Sequence, residues 1–471
     1  MKAEELLQKR IAVFGAARSG IAVAQLLQGR CAYVCLLDQK DPAAASSVSQ
    51  EMSSKGIPCF WGEECARALD NVDVLVKSPG IPQENDIVVR ARNLGIRIVS
   101  EIEIAAAFVP AGTKIVAVTG TNGKTTTTAW IAHLLHTAGF PALACGNIGR
   151  AFSDAVSEVL VTSMPSSTPR FLVAEISSFQ LEDIEDFRPD IAVLTNLAPD
   201  HLDRYPSYQH YIAAKENLLR NMSTDEAFVW NAENKESISF AAQSPVRRYA
   251  FCASEASLYP SAAFVRAGEI ILEVNHGQPV SLVRAGDLPL VGKHNLENAM
   301  AAALAAYLAG ASPDALREGL LSFKGVEHRI EFCGEVDGVR FYNDSKATNL
   351  DSLEKALLSF TAPVTLIAGG RDKKSDYSQL NALVKERVKR LITIGEAAAL
   401  IEKAWAELVP TERASDMEDA VRRAAEHATS GDVVLLSPAC ASYDMYSNYE
   451  ERGRHFKSCV ANLIASRQAS R

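Results

Sequence analysis

Residues Val116 to Thr128 read "VAVTGTNGKTTTT": an apolar run, a loop with two glycines, then a lysine and hydroxyl residues opening a helix. A strand that turns through glycines into a helix is a phosphate loop, and it commits the surrounding chain to a mostly parallel α/β sheet. Gly120 and Gly123 let successive backbone N–H groups curl around phosphate oxygens, while the helix N-terminus adds partial positive charge. Lys124 can then reach the terminal phosphates and Thr125 can offer a hydroxyl to Mg²⁺. The alternative is a glycine turn with a chance lysine.

The rest of the chain repeats the alternation of strand and helix. "IAVFG", "AYVCLLD" and "VDVLVKSPG" read as buried strands around the helix "SGIAVAQLLQG", which predicts a parallel sheet covered on both faces. "KIVAVTG", "FLVAEISS" and "IAVLTNL" form a second set, with "VTSMPSSTPR" as an exposed loop. "VRFYNDS", "VTLIAGG", "RLITIGE" and "DVVLLSP" form a third, separated by helices such as "LDSLEKALLSF". Three α/β domains follow, over 1–104, 105–326 and 327–471. A length of 471 residues fits that number, being too long for one ordinary core.

Composition narrows the function. A net charge of -9 argues against a nucleic-acid binder, although loops and helix ends still bind small anions against that global sign. The nine cysteines are scattered singly, so no zinc site is expected. "MKAEELLQKR" lacks the apolar core of a signal peptide, and the longest apolar run, from Ala299, is well short of a membrane span. A reduced, soluble, cytoplasmic protein is the simplest expectation.

Other strand ends carry chemistry-bearing residues. Glu175 closes "FLVAE" and His201 lies in "NLAPDHLDRY"; both sit where ligands bind in open α/β sheets, and Glu175 is a candidate hard ligand for Mg²⁺. In the first domain, Gly15 and Gly20 of "GAARSG" match the outer glycines of a dinucleotide loop, and Asp38 ends the next strand as a ribose-binding acid would. Ala17 takes the place of the middle glycine, which weakens a nicotinamide-dependent oxidoreductase and leaves a nucleotide in another pose, or a structural turn. In the third domain Asp344, Lys346 and Thr348 of "FYNDSKATNLDS", Lys373 of "AGGRDKKSD" and Ser437 of "LLSPACASYD" follow three strands. One sheet edge with lysines and hydroxyls suits a small carboxylated compound.

Taken in order, "TGTNGKTTT", "AEISSFQL", "TNLAPDHLDRY", "YIAAKENLL", "GKHNLEN", "EHR" and "YNDSKATN" resemble the Mur ligases, ATP-dependent amide-forming enzymes of peptidoglycan synthesis, across nearly the whole chain. "GGRDK" and "LLSPACASYD" are most similar to the branch that adds D-glutamate. The resemblance implies a Rossmann-like first domain that binds a UDP-substrate, a central ATP-binding domain and a Rossmann-like third domain for the amino acid. It implies transfer of the γ-phosphoryl group to the L-alanine carboxylate of UDP-N-acetylmuramoyl-L-alanine, then attack by the amine of D-glutamate. Phosphorylation is needed because a carboxylate is a poor electrophile, and it splits one hard step into two easier ones. A sister ligase adding another amino acid, and a phosphate-loop switch with no acceptor, are the rivals.

Site roles follow from the resemblance, position by position. Gly120, Thr121, Asn122, Gly123, Lys124, Thr125, Thr126, Asn295, Asn298, Arg329, Asp344 and Lys346 match ATP-binding positions. Thr125, Glu175, His201 and, as a carbamate, Lys215 match metal-binding positions, with two Mg²⁺ ions implied. Lys215 matches a lysine that the family carries as a carbamate, although on its own it reads as a surface lysine of a helix. Lys124, His201, Lys215 and Lys346 are the implied catalytic set. Gly15, Ala16, Ala17, Arg18, Ser19, Asp38, Gln39, Ser78, Pro79, Gly80, Asn147 and Ser177 match the UDP-substrate side, and Thr348, Lys373 and Ser437 the D-glutamate side. A monomer that binds neither nucleic acid nor membrane is expected.

Overall fold

The computed structural model describes every residue except 42–45, 148, 163–167, 203, 255–258, 260, 276, 291, 373–374 and 470–471. The centre of the loop expected within "VTSMPSSTPR" therefore lies outside the described residues. Three sheets carry the α/β architecture. The chain gathers into two units, Met1–Leu288 with Lys293–Phe323, and Pro289–Gly292 with Lys324–Arg471.

The first sheet runs Cys59–Trp61, Tyr33–Asp38, Arg10–Phe14, Val74–Lys77, Arg97–Ser100 and is parallel throughout. Strand order reverses between Arg10–Phe14 and Val74–Lys77, and the crevice beyond the carboxyl ends of two such strands is where open α/β sheets bind ligands. "GAARSG" leaves the first of these strands and "SPG" the second, so topology alone brings the two loops face to face. Ile11, Val13, Leu36 and Val76 are buried on one face of the sheet and Ala12, Phe14, Leu37 and Leu75 on the other, which is why the strands read as continuous apolar runs.

The second sheet has nine strands. Its parallel part, from Ala142–Gly146 through Arg170–Glu175, Thr113–Thr119, Ile191–Leu194, Ala227–Asn231 and Arg247–Cys252 to Ala262–Arg266, continues into an antiparallel edge of Glu269–Glu273 and Val280–Arg284. The strand before the phosphate loop lies between those that end at Glu175 and Leu194. The residues after all three strands therefore share one edge. The helix Lys124–Thr137 packs against Lys293–Leu308, which is buried around its middle from Asn298 to Ala306.

In the second unit the order is Glu331–Val336, Val339–Asn343, Val433–Leu436, Val364–Gly369, Val388–Ile394, Thr411–Arg413, with only the first pair antiparallel. Three neighbouring strands end at Asn343, Leu436 and Gly369, and the loops after them begin "DSKATN", "SPACAS" and "GRDK". No helix among the described residues is long and apolar enough to cross a membrane.

Candidate active site

Two glycines shape the phosphate loop. Gly120 has φ +144° and Gly123 φ +79°, both in the region that favours glycine. A Cβ on Gly120 would overlap Thr195 Oγ1, and one on Gly123 would overlap Asn298 Oδ1. The loop is braced from the next strand end: Asn122 N–H donates to Asn196 Oδ1 at 3.0 Å, Asn196 Nδ2 donates to Asn122 O at 3.1 Å, and Thr121 N–H donates to Asn196 O at 2.9 Å. Thr121 Oγ1 also bridges to Ala198 and to the Tyr211 hydroxyl, each within 3.1 Å. These bracing residues, Thr195, Asn196, Ala198 and Tyr211, were not singled out from sequence, although "TNLAP" and "YIAAK" contain them.

Beyond the loop, Thr125 donates its hydroxyl to Glu175 Oε2 at 2.7 Å, and Asn147 Nδ2 donates to Glu175 Oε1 at 3.0 Å. Both oxygens of a buried carboxylate are thus aimed, one at the helix that opens the phosphate loop and one at Asn147. No group of three or more His, Cys, Asp and Glu side chains is gathered as a metal site among the described residues. A hydroxyl and one carboxylate still fit Mg²⁺, which is held by one or two carboxylates plus phosphate oxygens rather than by an all-protein cage.

Lys215 is the residue on which sequence and structure differ most in emphasis. It lies in the helix Tyr208–Glu216 and is 1% exposed. Its Nζ donates to Gly120 O at 2.9 Å and lies 3.3 Å from Thr119 Oγ1. Lys124 Nζ donates to the same Gly120 carbonyl at 2.9 Å and to Thr121 O at 2.8 Å. Burial, with the Lys124 charge beside it, holds the Lys215 ammonium well below the ordinary lysine range. His201 stands at the rim, half exposed, with φ +53°. Its ring packs against Phe179 at 4.8 Å and Tyr211 at 6.2 Å, and its Nε2 lies 3.6 Å from Asp200.

Asn298 and Asn295 lie on the first turns of Lys293–Leu308, buried against the phosphate-loop helix; Asn298 Oδ1 accepts from Thr127 at 3.2 Å and its Nδ2 donates to Asn295 at 3.4 Å. Thr126 is buried one residue past Thr125.

On the opposite side of Glu175, Arg18 of "GAARSG" donates to Gly149 O, two residues from Asn147, and Ser78 Oγ donates to Gly15 O at 3.2 Å. "GAARSG", "SPG" and "GNIG" therefore meet. Gly20 is required here, since a Cβ would overlap the Gly15 carbonyl. Ala17 is the N-cap of the helix Arg18–Leu27, so Ser19 lies on its first turn. Asp38 Oδ2 accepts from Ala16 N–H at 2.7 Å and Oδ1 from Lys40 N–H at 3.0 Å, so the carboxylate shapes the glycine loop. Gln39 Oε1 accepts from Asn85 at 2.7 Å. Pro79 and Gly80 form the turn after Ser78. Ser177 caps the helix Ser178–Leu181 in a reciprocal box with Gln180.

In the second unit, Asp344 is buried, with Oδ2 accepting from Ser437 Oγ at 2.8 Å and Oδ1 from Ile330 N–H at 3.3 Å. Burial pushes its carboxyl up to about 7, against the pull of Ser437 and Arg329. Ser437 is fully buried and its hydroxyl is turned to Asp344. Lys346 N–H donates to His328 O at 3.0 Å, and its ammonium lies over the Tyr449 ring at 5.9 Å. Thr348 is half-buried on the same loop. Lys373 lies outside the described residues.

The comparisons with known proteins agree with this layout. Residues 9–100 match the model of the Mur ligase MurD-like N-terminal domain, 118–306 the Mur ligase middle domain, and 328–440 the Mur ligase glutamate ligase domain. The chain is 40% identical over 463 residues to the UDP-N-acetylmuramoylalanine--D-glutamate ligase of Thermoanaerobacter sp. (strain X514), covering 98% of this chain and 99% of the relative. It is 41% identical over 475 residues to the enzyme of the same name from Salinibacter ruber, covering 98% and 100%. Among solved structures it is similar to UDP-N-acetylmuramate-alanine ligase MurC from Thermotoga maritima, with a TM-score of 0.58 at 19% identity over 97% and 100% of the two chains. E. coli FolC in complex with DHPP and ADP gives 0.55 at 16% identity over 77% and 92%. At such identities the two structures speak for the fold.

Proposed function

The chain belongs to the Mur ligase family, and we infer that it is the ATP-dependent ligase that joins D-glutamate to UDP-N-acetylmuramoyl-L-alanine in peptidoglycan synthesis. The observation that carries this reading is the match at about 40% identity, from end to end, to enzymes named for that reaction.

The chemistry divides between the loops. A carboxylate oxygen of the L-alanine residue takes the γ-phosphoryl group, and ADP leaves. The D-glutamate amine then attacks the acyl carbon, a tetrahedral intermediate forms, and inorganic phosphate departs as the amide is made. Three anionic reactants must be brought together, so positioning and neutralisation are the protein's main contributions. Gly120 to Thr126, with Asn295 and Asn298, cradle the nucleotide, and Lys124 faces its terminal phosphates. Mg²⁺, when bound, supplies positive charge to phosphate oxygens, and Thr125 and Glu175 are the residues to hold it, with His201 at the rim.

Lys215 suits a carbamate. Carbamylation requires an unprotonated amine, which burial favours here, and it turns a cation into an oxygen-bearing anion able to assist a second ion. "GAARSG", "SPG", Asp38, Gln39, Asn147 and Ser177 make the UDP-substrate side. Arg329, Asp344 and Lys346 are assigned to ATP, and Thr348, Lys373 and Ser437 to the D-glutamate carboxylates. We place the reaction in the cytoplasm, carried out by a monomer whose domains are 1–104, 105–326 and 327–471.

Phosphate release with ATP, Mg²⁺ and UDP-N-acetylmuramoyl-L-alanine, adding amino acids one at a time, tests the reading. Release that requires D-glutamate is the expected result. Release that requires L-lysine, diaminopimelate or L-glutamate instead moves the protein to a sister branch, and release indifferent to every amino acid overturns the ligase.

A further inference from the structure

The strand Val74–Lys77 ends on a lysine whose side chain is fully buried. A buried ammonium is tolerated when acceptors and opposite charge meet it, and here a carbonyl and two carboxylates lie around it. Nζ donates to Ile81 O at 3.1 Å and lies 3.0 Å from Asp183 Oδ2 and 3.6 Å from Glu182 Oε2. Glu182 and Asp183 directly follow the short helix Ser178–Leu181, which Ser177 caps just beyond Glu175. Gln83 Nε2 donates to both carboxylates, at 3.1 and 3.0 Å.

A second cation reaches the same point. Arg204 Nη2 donates to Ile81 O at 2.8 Å, so one carbonyl receives both a lysine and an arginine. The Arg204 guanidinium lies 4.0 Å above the Phe179 ring, which packs on His201. Three segments are thereby tied at one buried node: the turn Ser78–Ile81, the stretch from Glu175 to Asp183, and the stretch that carries His201. The turn passes its position on, because Ser78 Oγ donates to Gly15 O and a Cβ on Gly15 would overlap Ser78.

Stability alone is a weak reason for this arrangement. Apolar side chains of similar volume commonly replace a buried ion pair without loss. What they cannot supply is a fixed direction for a turn.

We propose that Lys77 is a positioning residue for the ligase reaction: with Arg204 it fixes the turn Ser78–Gly80, and the UDP-substrate that turn receives, in register with Glu175, Ser177 and His201. The inference rests on the UDP-substrate side assigned above. Reacting groups must meet within a fraction of an ångström, and a misplacement of about 1 Å costs on the order of 100-fold in rate.

Steady-state kinetics of Lys77→Met, Asp183→Asn and the double variant, run beside the unaltered enzyme, test it. Expected is a fall of roughly tenfold to 100-fold in kcat/KM for the UDP-substrate, with KM for ATP unchanged. The double variant should lose no more than Lys77→Met alone, and Lys77→Arg should recover part of the loss. Unchanged kcat/KM for the UDP-substrate, or equal rises in KM for both substrates, overturns the proposal. Should Lys77→Met fail to fold, Arg204→Lys keeps the charge but gives up the stacking on Phe179, and it is judged by the same two criteria. An unaltered enzyme without D-glutamate-dependent turnover would defeat the ligase reading instead.

Discussion

Lys124 and Lys215 donate to one carbonyl oxygen, that of Gly120, each at 2.9 Å. One lysine opens the phosphate-loop helix and the other comes from a helix far along the chain. Burial, with the Lys124 charge beside it, drives the Lys215 ammonium towards its neutral form. The phosphate loop therefore carries two amines that differ in burial, Lys215 enclosed and Lys124 half-buried.

That difference makes Lys215 chemically special. Lys215→Arg keeps a cation but cannot form a carbamate, and it should lower kcat by on the order of 100-fold or more. The unaltered enzyme, freed of dissolved CO₂, should lose activity and regain it with bicarbonate. Equal rates with and without bicarbonate would show that the lysine acts as a plain cation.

Gly123→Ala should damage the nucleotide site more than the fold. The φ of +79° and the overlap with Asn298 Oδ1 together disfavour any side chain. The backbone strain alone is about 1–2 kcal/mol. KM for ATP is expected to rise at least roughly tenfold, with thermal melts showing a modest loss.

Glu175→Gln removes the charge that faces Thr125 while keeping a similar shape. The apparent Mg²⁺ requirement should rise in a metal titration, with kcat down by on the order of 100-fold. Melting temperature should hardly fall, because a buried carboxylate without its metal is not a stabilising group.

Gly20→Ala separates the two substrate sides. Its Cβ would overlap the Gly15 carbonyl and distort "GAARSG", so KM for the UDP-substrate should rise while ATP binding, followed by nucleotide titration, stays unchanged. A parallel loss of both would mean that the loop supports the whole unit.

Glu101 predicts a pH effect on stability. It is buried, with Oε1 accepting from Ser153 N–H at 2.6 Å and also from the Ser153 hydroxyl, and burial pushes its carboxyl from 4.5 up to about 7. Between those values the folded chain holds a proton that the unfolded chain has released, so this group's contribution to stability falls as pH rises from about 4.5 to about 7. Full ionisation costs on the order of 3 kcal/mol. Glu101→Gln should melt higher than the unaltered protein at pH 8, with the difference shrinking as pH falls towards about 4.

Local pattern carried much of this protein. The apolar runs, the glycines at 120 and 123 and the order of the family blocks required a phosphate loop in a mostly parallel sheet and pointed to the ligase, because each signal is contained within a few neighbouring residues. Strands such as Ala142–Gly146 and Ala227–Asn231, and the antiparallel edge from Ala262 to Arg284, were not singled out, although Gly139, Pro141, Gly268, Gly277 and Pro279 mark turns beside several of them. The tertiary structure alone decided which side chains meet. Lys215 reads as an ordinary surface lysine, and Lys77 carries no signal, until strand order and helix packing bury them against acceptors distant in sequence. That Asp38 also accepts from the Ala16 amide, and so shapes the glycine loop, is likewise a tertiary fact. Burial and partner choice depend on which chain segments the sheet brings together over many residues, and local periodicity carries no record of that.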